Sequence, residues 1–196
     1  MTEYWRLTAL QAVELLQSGA VTPLELIDNA LSRIEAVNPK VNAMVTLCAE
    51  RARDHAKRLM AKPVEQRGPL AGLPIGVKEL NDVAGVRVTY GSPIFADNVP
   101  EKSDIMVERL ENNGAIVLGM TNSPEFGAGG NTFNEVHGET YNPWNVKLNA
   151  GGSSGGAAVA LATGEVWLAT GSDLGGSLRT PAAFCSVVGL RRARDS

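Results

Sequence analysis

The first 63 residues contain two stretches in which apolar positions recur every three to four residues, the spacing of an amphipathic helix. The stretches are TALQAVELLQSG from Thr8 and TPLELIDNALSRIEAVNP from Thr22. Each threonine is followed three residues later by Gln11 or Glu25, the capping-box pattern, and Gly19 suits a helix C-cap. We therefore predict two capped helices, then a short strand at VNAMVTL and a polar-faced helix at AERARDHAKRLM.

From residue 64 onward, short apolar runs alternate with helical patterns. GLPIGVKEL, which carries Lys78, AIVLGM and VWLAT are predicted strands. SDIMVERLENNG is predicted as a helix capped by Ser103 and ended by Gly114, GGAAVALATG as a small-residue helix, and SLRTPAAFCSVVG as a turn or helix. Residues 121–150 form a long loop rich in glycine and asparagine, and loops of that length are usually functional. The alternation predicts an α/β fold with a mixed, largely parallel sheet.

Length and composition indicate one globular domain, with residues 1–63 as a helical N-terminal layer and residues 64–196 as an α/β core. A net charge of -3 gives no electrostatic case for nucleic-acid binding, and no apolar run approaches a membrane span. The N-terminus lacks a signal-type apolar segment, so we expect a cytoplasmic protein. The two cysteines, Cys48 and Cys185, make neither a disulfide framework nor a metal-ligand pair.

Glycine-framed serines carry the candidate chemistry. Ser153 and Ser154 lie in NAGGSSGGAAVALATG, and Ser177 lies in SDLGGSLRTPAAF. Glycine-rich turns let consecutive backbone N–H groups point at one anion, and a helix N-terminus favours developing negative charge. An acyl-transfer site needs this arrangement, so we place the nucleophile at Ser177. The expected oxyanion donors are the backbone N–H groups of Leu174, Gly175, Gly176 and Ser177.

A serine nucleophile needs a base, and Lys78 is the strongest candidate. Neither His55 nor His137 has a motif around it, so each is interpreted as a surface histidine. Lys78 follows an apolar strand, and burial there would lower the pKa of its amine and supply a neutral base. A second serine could pass the proton from Ser177 to Lys78, which would explain two glycine-framed turns.

Each of these features also has a structural interpretation. Gly-Gly-Ser turns are common without catalysis, and a lysine after a strand often extends to the surface. Asp173 could form a turn through its side chain, and the cysteines could be small buried apolar groups. The residues alone therefore leave open a serine acyl-transfer enzyme and a protein without catalysis.

The motifs GLPIGVKEL, GMTNSPEFG, YNPW, GGSSGGAAVALATG and GSDLGGSLRTPAAFCSVVGLR together resemble the amidase signature family, from about residue 8 to residue 191. The resemblance implies the amidase signature fold and a Ser–Ser–Lys relay without metal or cofactor. Ser177 would form the acyl-enzyme, Ser153 would bridge after a cis peptide bond from Gly152, and Lys78 would be the general base.

The resemblance also assigns residues around this relay. Residues that would hold the site in place are Ser154, Ser172, Asp173 and Arg179. The loop 121–150 would line the mouth of the pocket, and its expected substrate contacts are Asn122, Glu125 and Gly127. The expected substrate is a small-molecule carboxamide, whose C–N bond is hydrolysed.

Two features depart from the family pattern. Glu79 stands where the family usually has aspartate. After VVGLR the family continues with a long further segment, whereas this sequence ends RARDS, so we expect a domain truncated at its C-terminus with impaired or absent activity. An exposed sheet edge would invite association, for which a homodimer is one arrangement.

Other motif-based interpretations fit the sequence less well. Residues 151–155 match G-x-S-x-G, but no good strand precedes them and no histidine follows. No P-loop pattern occurs, and Cys185 sits in an apolar run unlike a nitrilase-type nucleophile. Two alternatives remain open: a fragment or module without catalysis, and an A-type subunit of an amidotransferase, which would act on glutamine together with partner subunits. A stand-alone amidase is preferred because VWLATGSDLGGSLRTPAAF resembles generic bacterial amidases.

Overall fold

A four-stranded mixed sheet forms the centre of the computed structural model, which describes residues 3–192. The strands, in chain order, are β1 (Met44–Leu47), β2 (Pro74–Lys78), β3 (Ile116–Thr121), β4 (Phe133–Asn134), β5 (Gly138–Glu139) and β6 (Leu168–Ala169). The sheet order is β1-β3-β2-β6, with β2 parallel to β3 and to β6 and with β1 antiparallel to β3. The predicted α/β class with a largely parallel sheet is confirmed.

Six α-helices accompany the sheet within residues 3–192. They are α1 (Ala9–Ser18), α2 (Pro23–Val41), α3 (Ala49–Met60), α4 (Ile105–Asn112), α5 (Gly155–Ala162) and α6 (Arg179–Cys185). Both predicted capping boxes form, since Thr8 pairs with Gln11 and Thr22 pairs with Glu25 through reciprocal hydrogen bonds. No helix in this part of the chain combines the length and apolar character needed to cross a membrane.

The two faces of β3 pack into two apolar clusters, and a register shift against β2 at Leu118 interrupts the alternation of its side chains, so that Val117 and Met120 belong to the same cluster. Ile116 and Leu118 join the larger cluster, which is built mainly from α1, α2, α3 and α5. Val117 and Met120 join the smaller one, which includes Val107 of α4. Because both faces are covered, all residues of β2 and β3 are buried, and the strand end that carries Lys78 is fixed in a closed interior.

Three local predictions need correction. The N-cap of α4 is Asp104, not Ser103, because the Ser103 hydroxyl instead accepts a hydrogen bond from Ala84 N at 2.9 Å. The predicted strand VWLAT contributes only the two residues of β6 to the sheet. The segment 121–150 is not a featureless loop: after the end of β3 it contains a 3-10 turn at Glu125–Gly127 and the β4–β5 hairpin. Residues 193–196, in the terminal RARDS motif, lie outside the described residues.

Candidate active site

The side chain of Lys78 ends among three serine hydroxyls. Its Nζ lies 2.7 Å from Ser153 Oγ, 3.0 Å from Ser154 Oγ and 2.9 Å from Ser172 Oγ. An ammonium group would donate to all three oxygens, whereas a neutral amine donates to two and accepts a proton from the third. The same geometry therefore serves both protonation states of the lysine, which is what a proton-accepting base requires.

Burial sets the protonation of this lysine. Lys78 is completely inaccessible to solvent, and this burial lowers its pKa to about 8, while the negative charge of Asp173 opposes the shift. Within residues 3–192, the hydrogen-bond partners of Nζ are neutral hydroxyls, and no carboxylate pairs with it. An amine of this pKa is about one-tenth neutral at pH 7, a much larger neutral fraction than that of an ordinary lysine, and this is what the predicted role as general base requires.

The turn before α5 carries the first two serines into this interior. The peptide bond between Gly152 and Ser153 is cis, as the family resemblance implied. Two glycines then let the start of α5 pack closely against its neighbours: a Cβ at Gly156 would lie 2.2 Å from the backbone Asn122 N, and one at Gly155 would lie 2.2 Å from the side-chain Thr132 Oγ1. The glycine pair after the serines is therefore a packing requirement as well as a turn.

The second glycine-framed turn, which carries Ser177, is organised by one carboxylate. Asp173 Oδ1 accepts a hydrogen bond from Gly176 N at 2.9 Å, and Oδ2 accepts from the backbone N–H groups of Leu178 and Arg179 at 3.2 Å each. The Arg179 guanidinium contacts both carboxylate oxygens at 3.0 Å and holds the pKa of Asp173 well below its usual range. Asp173 thus hydrogen-bonds to the backbone on both sides of Ser177, which is the turn-forming role that the sequence left open for it.

One backbone hydrogen bond joins the two turns, from Ser154 N to Ser177 O at 3.0 Å. The Ser177 residue is half-buried, and among the residues that the structure describes its hydroxyl has no hydrogen-bond partner. The structure therefore brings the base, Ser153 and the Ser177 turn into one region. The hydrogen bond between Ser177 Oγ and Ser153 Oγ that the predicted relay requires is not formed within the described residues.

Comparison with known protein families identifies the family of this chain. The sequence pattern of the Amidase family matches residues 25–194. The chain belongs to the amidase signature family.

Relatives and solved structures agree with this assignment. The chain is 42% identical over 192 residues to the A subunit of a glutamyl-tRNA(Gln) amidotransferase from Roseiflexus castenholzii, covering 97% of this chain and 39% of that protein. It matches the structure of a 6-aminohexanoate cyclic dimer hydrolase with a TM-score of 0.85 and 32% identity, over 94% of this chain and 37% of that one. A crystal structure described as an amidase matches with a TM-score of 0.83 and 38% identity, over 91% and 41%. The chain thus spans well under half the length of these amidase relatives.

The residues predicted to donate to the oxyanion lie in contrasting environments. Leu174 is 96% exposed, and a Cβ placed on Gly175 would have no neighbouring atom within 4 Å. Gly176 is buried, and its N–H is already engaged by Asp173. A role for these N–H groups in stabilising an oxyanion stays a prediction, and for Gly176 it would require release from Asp173.

The three residues predicted to contact the substrate also lie in different environments. Gly127 borders the serine cluster, since a Cβ there would lie 3.6 Å from Ser153 Oγ. Glu125 is exposed. Asn122 is fully buried, and its amide group donates to Thr140 Oγ1 and accepts from Asn134 Nδ2, which fastens the loop 121–150 internally. Of the three, Gly127 has the clearest access to the relay.

Sequence reasoning missed a buried polar group directly after the lysine. Glu79 is fully buried, and its Oε1 accepts hydrogen bonds from Thr89 N and Oγ1 at 2.8 Å and lies 3.1 Å from His137 Nε2. The prediction of a surface histidine is wrong for His137, whose side chain is only 5% exposed. His55 is also largely covered, 3.4 Å from Glu111. The available signal was Glu79 itself, a charged residue continuing a buried strand, which requires a partner.

Proposed function

We propose that this chain carries the acyl-forming half of an amidase that hydrolyses a carboxamide C–N bond through an ester on Ser177. The observation that carries the proposal is the solvent-inaccessible Lys78 amine within hydrogen-bond distance of three serine hydroxyls. A buried neutral amine next to a hydroxyl chain is suited to take a proton from a serine nucleophile. Ser–Lys pairs are an established variant of the serine-nucleophile scheme.

The proposed reaction moves one proton along the relay. Ser177 Oγ gives its proton to Ser153 Oγ as it attacks the amide carbonyl carbon, and Ser153 passes its own proton to Lys78 Nζ. The resulting ammonium returns a proton through Ser153 to the substrate nitrogen, the C–N bond breaks, and an amine or ammonia leaves. Water then attacks the Ser177 ester with the same lysine as base, which releases the carboxylic acid and restores the hydroxyl.

A second candidate uses the same chemistry on a different amide. Because a relative 42% identical to this chain is named as the A subunit of a glutamyl-tRNA(Gln) amidotransferase, glutamine is a candidate source of the carboxamide. In that case the ammonia would pass to a partner protein rather than to solvent. Both candidates require the acyl-enzyme on Ser177, and they differ in whether glutamine is the amide consumed.

The test is covalent labelling with a serine-reactive fluorophosphonate, followed by intact mass and peptide mapping. It is performed on this chain and on a chimera in which residues 1–192 replace the matching part of a full-length amidase relative. We expect one adduct on Ser177 in the folded chimera, its loss in Ser177→Ala, and no change in Ser32→Ala, whose exposed serine lies on α2. Labelling that persists in Ser177→Ala, or a folded chimera that takes no label, would refute the proposal.

Once labelling is established, substrates separate the two candidates. Release of ammonia from glutamine at a rate lost in Ser177→Ala favours the amidotransferase-type role. Turnover of simple amides with no reaction on glutamine favours the stand-alone amidase.

A further inference from the structure

A buried carboxylate lies directly after the candidate base in the chain. Glu79 is fully buried, and its backbone N–H donates to Thr121 O at 3.0 Å, so it continues the pairing of β2 with β3. Neighbouring side chains on an extended strand point to opposite faces. The Lys78 amine accordingly meets the serine hydroxyls, and the Glu79 carboxylate lies on the other face. The proton relay proposed above does not use this carboxylate.

One oxygen of Glu79 gathers three donors from two parts of the chain. Oε1 accepts hydrogen bonds from Thr89 N and Thr89 Oγ1, both at 2.8 Å, and lies 3.1 Å from His137 Nε2. The Thr89 hydroxyl gives its hydrogen to Glu79, so both oxygens that face His137 Nε2 are acceptors there, and this nitrogen carries a hydrogen. Glu79 therefore binds residues 89–92 and the connection between β4 and β5 at once.

Residues 89–92 pack against the 3-10 turn Glu125–Gly127, which we call the mouth turn. Tyr90 O accepts a hydrogen bond from Phe126 N at 2.8 Å. A Cβ placed on Gly91 would lie 3.1 Å from backbone atoms of the mouth turn. Because backbone atoms make the contact on both sides, a displacement of one segment displaces the other.

The mouth turn is strained and borders the serine relay. Phe126 has a φ of 50°, in the left-handed region that costs energy for residues other than glycine, and it is 53% exposed. Such a conformation persists when contacts from the surrounding structure hold it. Gly127 follows, and a Cβ placed on it would lie 3.6 Å from Ser153 Oγ. The conformation of the mouth turn thus determines the space beside Ser153.

The contact with the histidine holds the start of the mouth turn. His137 N donates to Asn134 Oδ1 at 2.7 Å, and Asn134 Nδ2 donates to Ser123 O at 2.8 Å. Ser123 lies two residues before the mouth turn. The Glu79 carboxylate is therefore connected to this turn by two routes, one through Thr89 and one through His137.

We propose that Glu79 is a positioning residue: through Thr89 and His137 it fixes the mouth turn, and with it the opening beside Ser153, without contacting the reacting atoms. The inference rests on the proposed function for the use of that opening. The positioning itself is a property of the folded chain, so it is measured without substrate.

Hydrogen exchange of this chain, monitored by mass spectrometry, tests the positioning. The backbone N–H groups of residues 126–128 are hydrogen-bonded, so their exchange reports on the mouth turn. Glu79→Asp withdraws the carboxylate by one methylene and should accelerate this exchange about tenfold. Glu79→Gln keeps an acceptor oxygen at the same reach and should accelerate it less. Glu165→Asp is the matched control, because Glu165 is also fully buried and accepts from a threonine hydroxyl, that of Thr163.

Two results would overturn the proposal. One is equal exchange at the mouth turn in Glu79→Asp and in the parent. The other is an equal acceleration in Glu165→Asp, which would be a general effect of shortening a buried glutamate. Circular dichroism checks that each variant is folded. If Glu79→Asp does not fold, Thr89→Val removes one donor and keeps the side-chain shape; faster exchange at the mouth turn is again expected, and unchanged exchange again contradicts the proposal.

The labelling rate of Ser177 in the chimera tests the consequence for the site. Glu79→Asp should slow labelling about tenfold and Glu79→Gln less, because a displaced site residue lowers the rate without changing the base. The pH midpoint of labelling should stay that of the parent in both variants. A shifted midpoint would overturn the assignment, since it would show that the charge of Glu79 acts on Lys78. A parent chimera without label would refute the proposed function, and hydrogen exchange would still decide whether Glu79 positions the mouth turn.

Discussion

The two glycine-framed serine turns are joined by a backbone hydrogen bond from Ser154 N to Ser177 O, but they are held in place by different means. Ser153 and Ser154 are 1% and 2% exposed, and of the glycines that follow them Gly156 packs against backbone atoms and Gly155 against the Thr132 side chain. The turn around Ser177 includes the 96% exposed Leu174 and is held mainly by the hydrogen bonds of Asp173. The base side of the proposed relay is thus fixed by close packing, and the nucleophile side by one carboxylate.

This difference separates the energetic roles of the two turns. A buried, tightly packed turn contributes to global stability, because any change of volume disturbs several elements at once. An exposed turn fixed by one side chain opens locally at little global cost. Substitutions in the first turn should therefore lower the stability of the whole domain, whereas those in the second should loosen only the region around Ser177.

The largest expected effect compares alanine at two glycines. In Gly156→Ala the new Cβ would lie 2.2 Å from Asn122 N and 2.8 Å from Ala43 O, both backbone atoms. Such overpacking should lower the free energy of unfolding by about 3 kcal/mol, the upper end of the usual range. Gly175→Ala has nothing within 4 Å and should change it by less than about 0.5 kcal/mol.

Urea unfolding followed by tryptophan fluorescence measures both variants against the parent. Equal changes in the free energy of unfolding for the two substitutions would show that the packed turn and the exposed turn contribute to stability in the same way. A Gly156→Ala protein as stable as the parent would show that the start of α5 is free to move away from β3.

A smaller and more local effect is expected for Asp173→Asn. The amide side chain keeps one acceptor oxygen for the turn, but it loses the second oxygen and the charge that faces Arg179. Amide hydrogen exchange in residues 174–180 should become about tenfold faster, because weakening such bonds costs on the order of 1.4 kcal/mol. Exchange around Ser153 should not change.

Asp97→Asn provides the control, since Asp97 is exposed and lies outside both turns. Hydrogen exchange monitored by mass spectrometry covers both turns in one experiment. If Asp173→Asn loosens the Ser153 turn as much as the Ser177 turn, the two are one cooperative unit.

Local sequence signals predicted the elements that depend on neighbouring residues. The capping boxes at Thr8 and Thr22 involve residues only three positions apart, so the residue types alone are enough to predict their reciprocal hydrogen bonds. The α/β class followed from alternating apolar runs, and the family resemblance implied Lys78 and Ser153 as interacting residues. Their 2.7 Å contact is consistent with that implication, while the catalytic roles remain a proposal.

Long-range contacts account for what the sequence did not predict. His137 is covered because Glu79 and Thr89, which are 58 and 48 residues away, converge on its ring. Ser103 has the chemistry of an N-cap, but Ala84 N occupies its hydroxyl and Asp104 takes the cap position. In both cases the local sequence is compatible with two arrangements, and contacts with distant parts of the chain determine which one forms.

The central claim is that burial makes Lys78 the base for Ser177, and the pH dependence of fluorophosphonate labelling tests it most directly. Because the pKa of Lys78 is lowered to about 8, its neutral form grows as pH rises through that value. In the chimera described above, the labelling rate of Ser177 should therefore rise between pH 6 and 10, with a midpoint near 8. Lys78→Met should remove this midpoint and slow labelling by about 10²- to 10⁴-fold. A midpoint near that of an ordinary lysine, or a profile unchanged in Lys78→Met, would contradict the account.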